Sequence, residues 1–191
     1  MPYYPKLNGE KCYLSPCSSE DADLWARWLN DLEVSLPLGD EACLTFGLER
    51  MLDEAQHAAL GRDHVFTIVD RQAGCAIGRC LLFAFDTVNR SAMIGIFIGE
   101  KDHWGMGYGQ EASRLLLDYA FNLLNLHSIM LGVFSFNQRA IHAYQKLGFQ
   151  VIGRRREARI VGGQAYDVIF MDVLESEFRA QHGSSRIPLP E

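Results

Sequence analysis

The sequence predicts an α/β (α+β) fold, with a central mixed, mostly antiparallel seven-stranded sheet flanked by helices on both faces. Three observations carry that reading. Three strand-like segments joined by short turns occupy residues 64–98, and strands joined that tightly are mostly antiparallel neighbours. A glycine-rich turn at residues 103–109 then opens the clearest amphipathic helix in the chain. A last pair of strand-like segments flanks Gly162-Gly163, a hairpin signal.

Taken in order, residues 11–15 read as a short strand. Ser18 with Asp21 three residues on makes a capping-box-like helix start. Ala22, Trp25, Trp28, Leu29 and Leu32 recur at helical spacing, which predicts a helix over 19–31. Residues 37–40 form a loop. A second helix follows over 45–60, with Leu48, Met51, Leu52 and Ala55 on its apolar side and Gly61 at its end. The pattern then changes to strands at 64–69, 75–85 and 91–98, with Gly78 a bulge candidate in the middle one.

After the glycines, Ala112, Leu115, Leu116, Tyr119, Ala120, Leu123 and Leu124 follow the i, i+3, i+4, i+7 series. Residues 127–136 are apolar on both faces, as in a central strand covered on both sides. Asn137 can cap a short helix whose Ala140, Ile141, Tyr144 and Leu147 share a face, and Gly148 supplies the stop. Strands over 149–160 and 166–174 complete the sheet. Residues 1–178 are expected to form one domain, and residues 179–191, with Pro188 and Pro190, a disordered tail.

Hydrophobic residues at 48% and charged residues at 22% place the chain among soluble globular proteins. A net charge of −6 argues against a nucleic-acid partner, which needs phosphate neutralised. No apolar stretch reaches the roughly 20 residues that span a bilayer, so no membrane role is expected. The five cysteines make an odd count without a CxxC pair, and no signal-peptide pattern opens the chain. A reduced, cytoplasmic setting is expected, with Cys75 and Cys80 as core thiols. The histidines show no metal-ligand spacing, so no metal is expected.

The segment Trp104-Gly105-Met106-Gly107-Tyr108-Gly109 lies between a strand and a helix. Glycines let successive backbone N–H groups converge, and the free N–H groups and positive dipole end of the helix favour an anion such as a pyrophosphate. A Walker loop requires a Lys-Ser/Thr that is absent here. A dinucleotide turn requires a third glycine where Gln110 stands, and it belongs early in a βαβ unit.

The turn resembles instead the acetyl-CoA turn of the GNAT superfamily, with the pattern Q/R-x-x-G-x-G/A. Gly107 and Gly109 match its glycines, and Trp104 departs from its first position. Residues 137–149 are similar to the same family's N-x-x-A-x-x-x-Y-x-x-x-G-F pattern, through Asn137, Ala140, Tyr144, Gly148 and Phe149. The resemblance covers about residues 11–174. Within the family it is closest to the branch that acetylates ribosomal-protein N-termini and polyamines, on Gly107-Tyr108-Gly109, Glu111-Ala112 and Tyr166-Asp167.

The resemblance implies an acetyl-CoA-dependent N-acetyltransferase that moves an acetyl group to a primary amine by direct attack on the thioester. The pantetheine arm would pair with backbone near Phe97, Ile98 and Gly99 in the gap between two splayed strands. The segment of Trp104, Gly105, Met106, Gly107, Tyr108, Gly109 and Gln110 would hold the pyrophosphate, Asn137 would contact pantetheine, and Tyr144 would give a proton to the departing thiolate. Glu100, Asp102 and His103 cluster nearby without an assigned base, and Glu111 reads as a dipole-compensating carboxylate.

A catalytically silent acyl-CoA-binding or partner-binding domain is the alternative, and a dinucleotide-dependent oxidoreductase is disfavoured by the glycine spacing. Family specificity would reside in residues 32–45, which hold Glu33, Asp40 and Glu41, and in residues 155–167 with the arginines around them. These opposite charges leave the acceptor undecided between a polyamine, a protein N-terminus, an aminoglycoside and an amino acid. The last strand could pair across a homodimer, though no residue pattern requires it.

Overall fold

A computed structural model describes residues 3–61, 63–183, 185 and 187. Among the described residues one sheet of eight strands runs in the order β1-β2-β3-β4-β5-β6-β8-β7. The strands are β1 (Leu7–Asn8), β2 (Cys12–Pro16), β3 (His64–Asp70), β4 (Ala76–Asp86), β5 (Ser91–Ile98), β6 (Ser128–Phe134), β7 (Gln150–Val161) and β8 (Gln164–Leu174). Seven are the strands expected from sequence. The eighth, β1, is a two-residue edge piece, too short for any periodicity to register. Every pairing is antiparallel except β5 with β6.

Helices cover both faces. On one lie α1 (Ala22–Asn30), the four-residue α2 (Leu32–Ser35) and α3 (Leu48–Leu60). Their Trp25, Trp28, Val34, Met51 and Ala55 pack with Val65 and Ala76 of the sheet. On the other, α4 (Tyr108–Asn122), α5 (Gln138–Lys146) and α6 (Glu175–His182) bury Leu116, Phe121, Ile141 and Phe178 against Leu14, Ile68, Leu82 and Ile129.

The first expected helix opens with one 3-10 turn, Ser19–Asp21. Its capping box forms, with the Ser18 N–H donating to Asp21 at 2.9 Å. Asp21 also accepts from the hydroxyls of Thr67 at 2.6 Å and Tyr3 at 2.8 Å, so the cap fastens α1 to β3. The second helix starts at Leu48 rather than residue 45, because Gly47 at its entry is extended and offers no side-chain cap. Met51 and Ala55 are buried there, but Leu48 and Leu52 are exposed. Leu123, past the end of α4, is exposed too. Periodicity finds the helix but marks a wider stripe than α1 and the sheet can cover.

Cys75 is exposed, because the chain is still in the turn before β4 starts; Cys80 is fully buried as expected. Burial pushes the Cys80 thiol well above its ordinary range. The cysteines are free thiols among the described residues. Gly78 does lie at an irregularity. Ile68 pairs with Gly78 and Val69 with Ala76, so Ile77 is the extra residue. Residues 179–182, placed by sequence in a disordered tail, instead form the last turn of α6. Pro188 and Pro190 lie outside the described residues. Among the described residues no helix is long and apolar enough to cross a membrane.

Candidate active site

The cleft begins where β5 and β6 part. They pair in parallel only at Ser91–Ser128, Ala92–Ile129 and Met93–Met130, and beyond Met93 the ladder stops. Gly99 N–H donates to Ile77 O at 2.8 Å. Strand alternation then turns the N–H and C=O of Phe97 towards β4 and those of Ile96 and Ile98 into the gap. The Gly99 N–H is therefore engaged within the sheet, and the outward groups nearest it belong to Ile98 and Ile96. The lack of a side chain at Gly99 serves packing, because a Cβ there would meet the Trp28 ring at 2.2 Å.

At the mouth of the gap the chain enters the glycine turn. Gly105 and Gly107 take φ of 74° and 90°, left-handed values that suit glycine. Gly107 is the N-cap of α4. The N–H groups of Gly105, Met106, Gly107, Tyr108, Gly109 and Gln110 have no acceptor among the described residues, while Trp104 N–H before them and Glu111 N–H after them are satisfied. Six successive donors at a helix start make an anion cradle.

Side chains around the turn anchor it from behind. Glu111 accepts from the N–H groups of Glu10 and Lys11, both at 2.8 Å, and of Cys12 at 2.9 Å. Burial would raise its pKa, but these bonds more than offset that and leave it lowered. Glu111 is thus a fastener between α4 and the β1–β2 turn. Tyr108 donates to Asp70, which pushes its phenol up to about 12; the side chain points away from the cleft. Asp70 also accepts from Gln72 and Ala73 N–H and meets His103 at 3.4 Å. Burial of Asp70 acts to raise its pKa, but those contacts outweigh it and hold the carboxyl below its usual range.

Asn137 and Tyr144 come from α5 on the other side of the gap, and both line it. The Asn137 side chain caps α5 by accepting from Ala140 N–H at 3.2 Å. The Tyr144 ring is held edge-on to Phe149, with centroids 5.5 Å apart. Burial pushes its phenol up to about 12, so it stays protonated over the whole neutral range.

Two connected spaces meet at this pair, sharing Pro37, Leu38, Ile96, Phe97, Asn137, Ala140 and Tyr144. The smaller, about 150 Å³, runs towards Trp104, Gly109 and Gln110. The larger, about 580 Å³, lies on the far side, walled by Leu29, Phe46, Leu81, Phe83 and Met93 with Asp40, Glu41, Glu54 and Arg79 among them. Arg79 is buried, stacks 4.1 Å over Trp25 and donates to Glu54 at 2.7 Å. Arg159 of β7, also buried, donates to Asp40 at 2.9 Å and straps residues 37–45 over the cavity. Glu41 turns inward, and its Oε2 is enclosed without a hydrogen-bond partner among the described residues.

This arrangement has relatives. The family described as "Acetyltransferase (GNAT) domain" matches residues 11–150. The chain belongs to the GNAT acetyltransferase family. It is 30% identical over 174 residues to the uncharacterized N-acetyltransferase p20 of Bacillus licheniformis, covering 90% of this chain and 97% of that one. It is 35% identical over 101 residues to the spermidine N(1)-acetyltransferase of Escherichia coli, covering 53% of this chain and 54% of that protein. The crystal structure of Vibrio cholerae spermidine N-acetyltransferase in complex with CoA and spermine superposes with a TM-score of 0.80, at 26% identity, covering 89% of this chain and 99% of that one. The chain is therefore an N-acetyltransferase with the GNAT fold, acting on amines.

Of the residues read from sequence, Phe97, Ile98, Trp104, Gly109, Gln110, Asn137 and Tyr144 line this GNAT cleft. Gly105, Met106 and Gly107 present backbone at its mouth. Glu100, Asp102 and His103 do not reach it. Glu100 is bound by Arg27 and by Trp28 Nε1, His103 leans on Asp70, and Asp102 is exposed. Sequence reasoning missed Ile96, Arg79, Glu54 and Arg139. An arginine inside the apolar run 75–85 was the visible signal for Arg79, since a buried guanidinium requires a partner. Nothing local marked the others.

Proposed function

We propose that the chain is an acetyl-CoA-dependent N-acetyltransferase whose acceptor is a small alkyl amine of the polyamine type. The observation that carries this is the parted β5–β6 gap, with six free N–H donors at one end, the Tyr144 phenol at its middle and a largely apolar cavity with carboxylates at the other. These residues fit CoA. The cradle suits a pyrophosphate, and the outward N–H and C=O of Ile96 and the outward N–H of Ile98 suit the amides of an extended arm. CoA, when bound, supplies the acetyl thioester.

The chain's own residues do the rest. Backbone N–H groups on β5 stabilise the oxyanion that develops when an amine attacks the acetyl carbonyl. Tyr144, neutral with a phenol pushed up to about 12, donates a proton to the departing sulfur. An alkylamine with pKa near 10.4 is neutral at only about one part in a thousand at pH 7, so it has to lose a proton first. Glu41, whose Oε2 has no partner among the described residues, is the cavity carboxylate that would meet its ammonium group. The Arg159–Asp40 pair holds in place the 37–41 segment that lines the cavity, which favours a slender flexible chain over the end of a folded protein.

Calorimetry with acetyl-CoA, followed by a CoA-release assay over spermidine, spermine, N-terminal peptides and aminoglycosides, tests this. Saturable binding and turnover with polyamines is expected. Binding with turnover only on N-terminal peptides would move the acceptor to proteins, and binding without turnover on any amine would leave a silent acyl-CoA-binding domain.

A further inference from the structure

The cofactor reading leaves a charge unassigned. The N–H cradle holds an anion by partial charges alone, and the family pattern adds a Gln or Arg side chain at the position where Trp104 stands here. Trp104 has another occupation. Its Nε1–H donates to Ile98 O at 2.7 Å, which fixes the indole as a wall of the smaller space and takes up one of the outward carbonyls of β5. On that indole rests Arg139, from the first turn of α5, with its guanidinium carbon 4.8 Å from the ring centroid. Arg139 is exposed, lines the same space as Gly109 and Gln110, and has no carboxylate partner among the described residues. Lys11 is another cation near the turn, and its Nζ is engaged by Met106 O at 3.1 Å.

We propose that Trp104 and Arg139 together replace the missing side chain: the indole is a platform that parks the Arg139 guanidinium at the mouth of the cleft, where it binds a phosphate of CoA. The proposal rests on the acetyl-CoA reading. A guanidinium held on an aromatic face keeps its in-plane N–H donors free, so the stack orients Arg139 without consuming the groups that would bind phosphate. The arrangement also divides the labour across two elements. The platform sits before α4 and the cation on α5, so phosphate binding would draw the two walls of the cleft together.

The test compares acetyl-CoA, acetyl-dephospho-CoA and acetyl-pantetheine as ligands for the full chain and for Arg139→Gln, Trp104→Gln, the double variant and Lys11→Met. For Arg139→Gln, acetyl-CoA affinity is expected to fall about five- to tenfold, with kcat at saturation retained and acetyl-pantetheine binding unchanged. Whether dephospho-CoA shares the loss tells the pyrophosphate from the 3′-phosphate. Trp104→Gln restores the family side chain, so adding Arg139→Gln to it should cost less than twofold. Equal loss for acetyl-CoA and acetyl-pantetheine, an unchanged affinity in Arg139→Gln, or a loss confined to Lys11→Met would overturn the proposal. If the unsubstituted chain bound no acetyl-CoA, the cofactor reading itself would fall and take this one with it. Binding by the unsubstituted chain with no effect of Arg139→Gln would sink only the platform.

Discussion

At the glycine-turn end of the cleft the binding groups are six backbone N–H groups from one uninterrupted stretch, Gly105 to Gln110. At the acceptor end they are side chains brought from the 37–46 loop, α3 and β4, among them Asp40, Glu41, Glu54 and Arg79, with Arg159 of β7 bonded to Asp40. The first end needs only a backbone conformation, and glycines at the right places secure it. The second needs tertiary contacts, because every charge there except Glu41 is compensated by a residue far away in the chain. Asp40 meets Arg159 across 119 positions, and Glu54 meets Arg79 across 25. Damage to the first end should therefore appear in cofactor affinity and damage to the second in acceptor affinity, with Tyr144 between them serving the chemistry.

The largest effect is expected at that junction. Tyr144→Phe should lower kcat by about a hundredfold or more while leaving acetyl-CoA affinity within a few-fold, measured by thiol release and by calorimetry. Full kcat in that variant would remove Tyr144 from the mechanism. Because burial holds its phenol near 12, kcat should also show no loss from its ionisation at pH 10. Gly107→Ala comes next. Gly107 sits at φ 90°, and a Cβ there meets nothing closer than 3.9 Å, so the cost is backbone strain of about 1–2 kcal/mol. Strain at the cradle should weaken acetyl-CoA binding about tenfold with the acceptor KM unchanged.

Arg159→Ala should do the reverse. Loss of the strap over the cavity is expected to raise the acceptor KM about five- to tenfold and to leave acetyl-CoA affinity alone, in steady-state kinetics with each substrate varied in turn. If both affinities fell together, the division between the two ends would fail. The smallest effect on activity belongs to Glu111→Gln, which touches neither ligand. It should lower stability by about 1–2 kcal/mol in urea unfolding at pH 7. The folded pKa of Glu111 is lowered, so its contribution is present above the ordinary glutamate pKa and is lost as pH falls through the folded value. The acid side of the stability profile should accordingly be flatter in the variant.

Legibility followed the same division. Asn137, Tyr144 and the glycine turn could be read because each is a short segment whose residue types meet a local requirement: a cap, a half-buried ring, a left-handed φ. Glu111 was legible as a first-turn carboxylate, but its three acceptor bonds to residues 10–12 were not, because nothing in the helix specifies what packs before it. Glu100 and His103 looked like candidates through proximity in sequence to the turn. The structure turns them towards α1 and Asp70, away from the cleft.

The charges at the acceptor end show where local reading stops. Acidic residues in 32–45 and arginines in 154–159 pointed to opposite substrates, and the contradiction narrows once Asp40 is found paired with Arg159, Glu33 with Lys101 and Arg154 with Asp167.

By itself the sequence determined the order of strands and helices, the cradle and the Asn137–Tyr144 helix, since all of these follow from periodicity, capping and glycine conformation within a few residues. Only the tertiary structure decided where β5 and β6 part, which backbone groups face the gap, which charges remain uncompensated in the cavity, and that Arg139 rests on Trp104. Those are pairings between segments distant in the chain, and their energies depend on which groups are brought together, which no local pattern records.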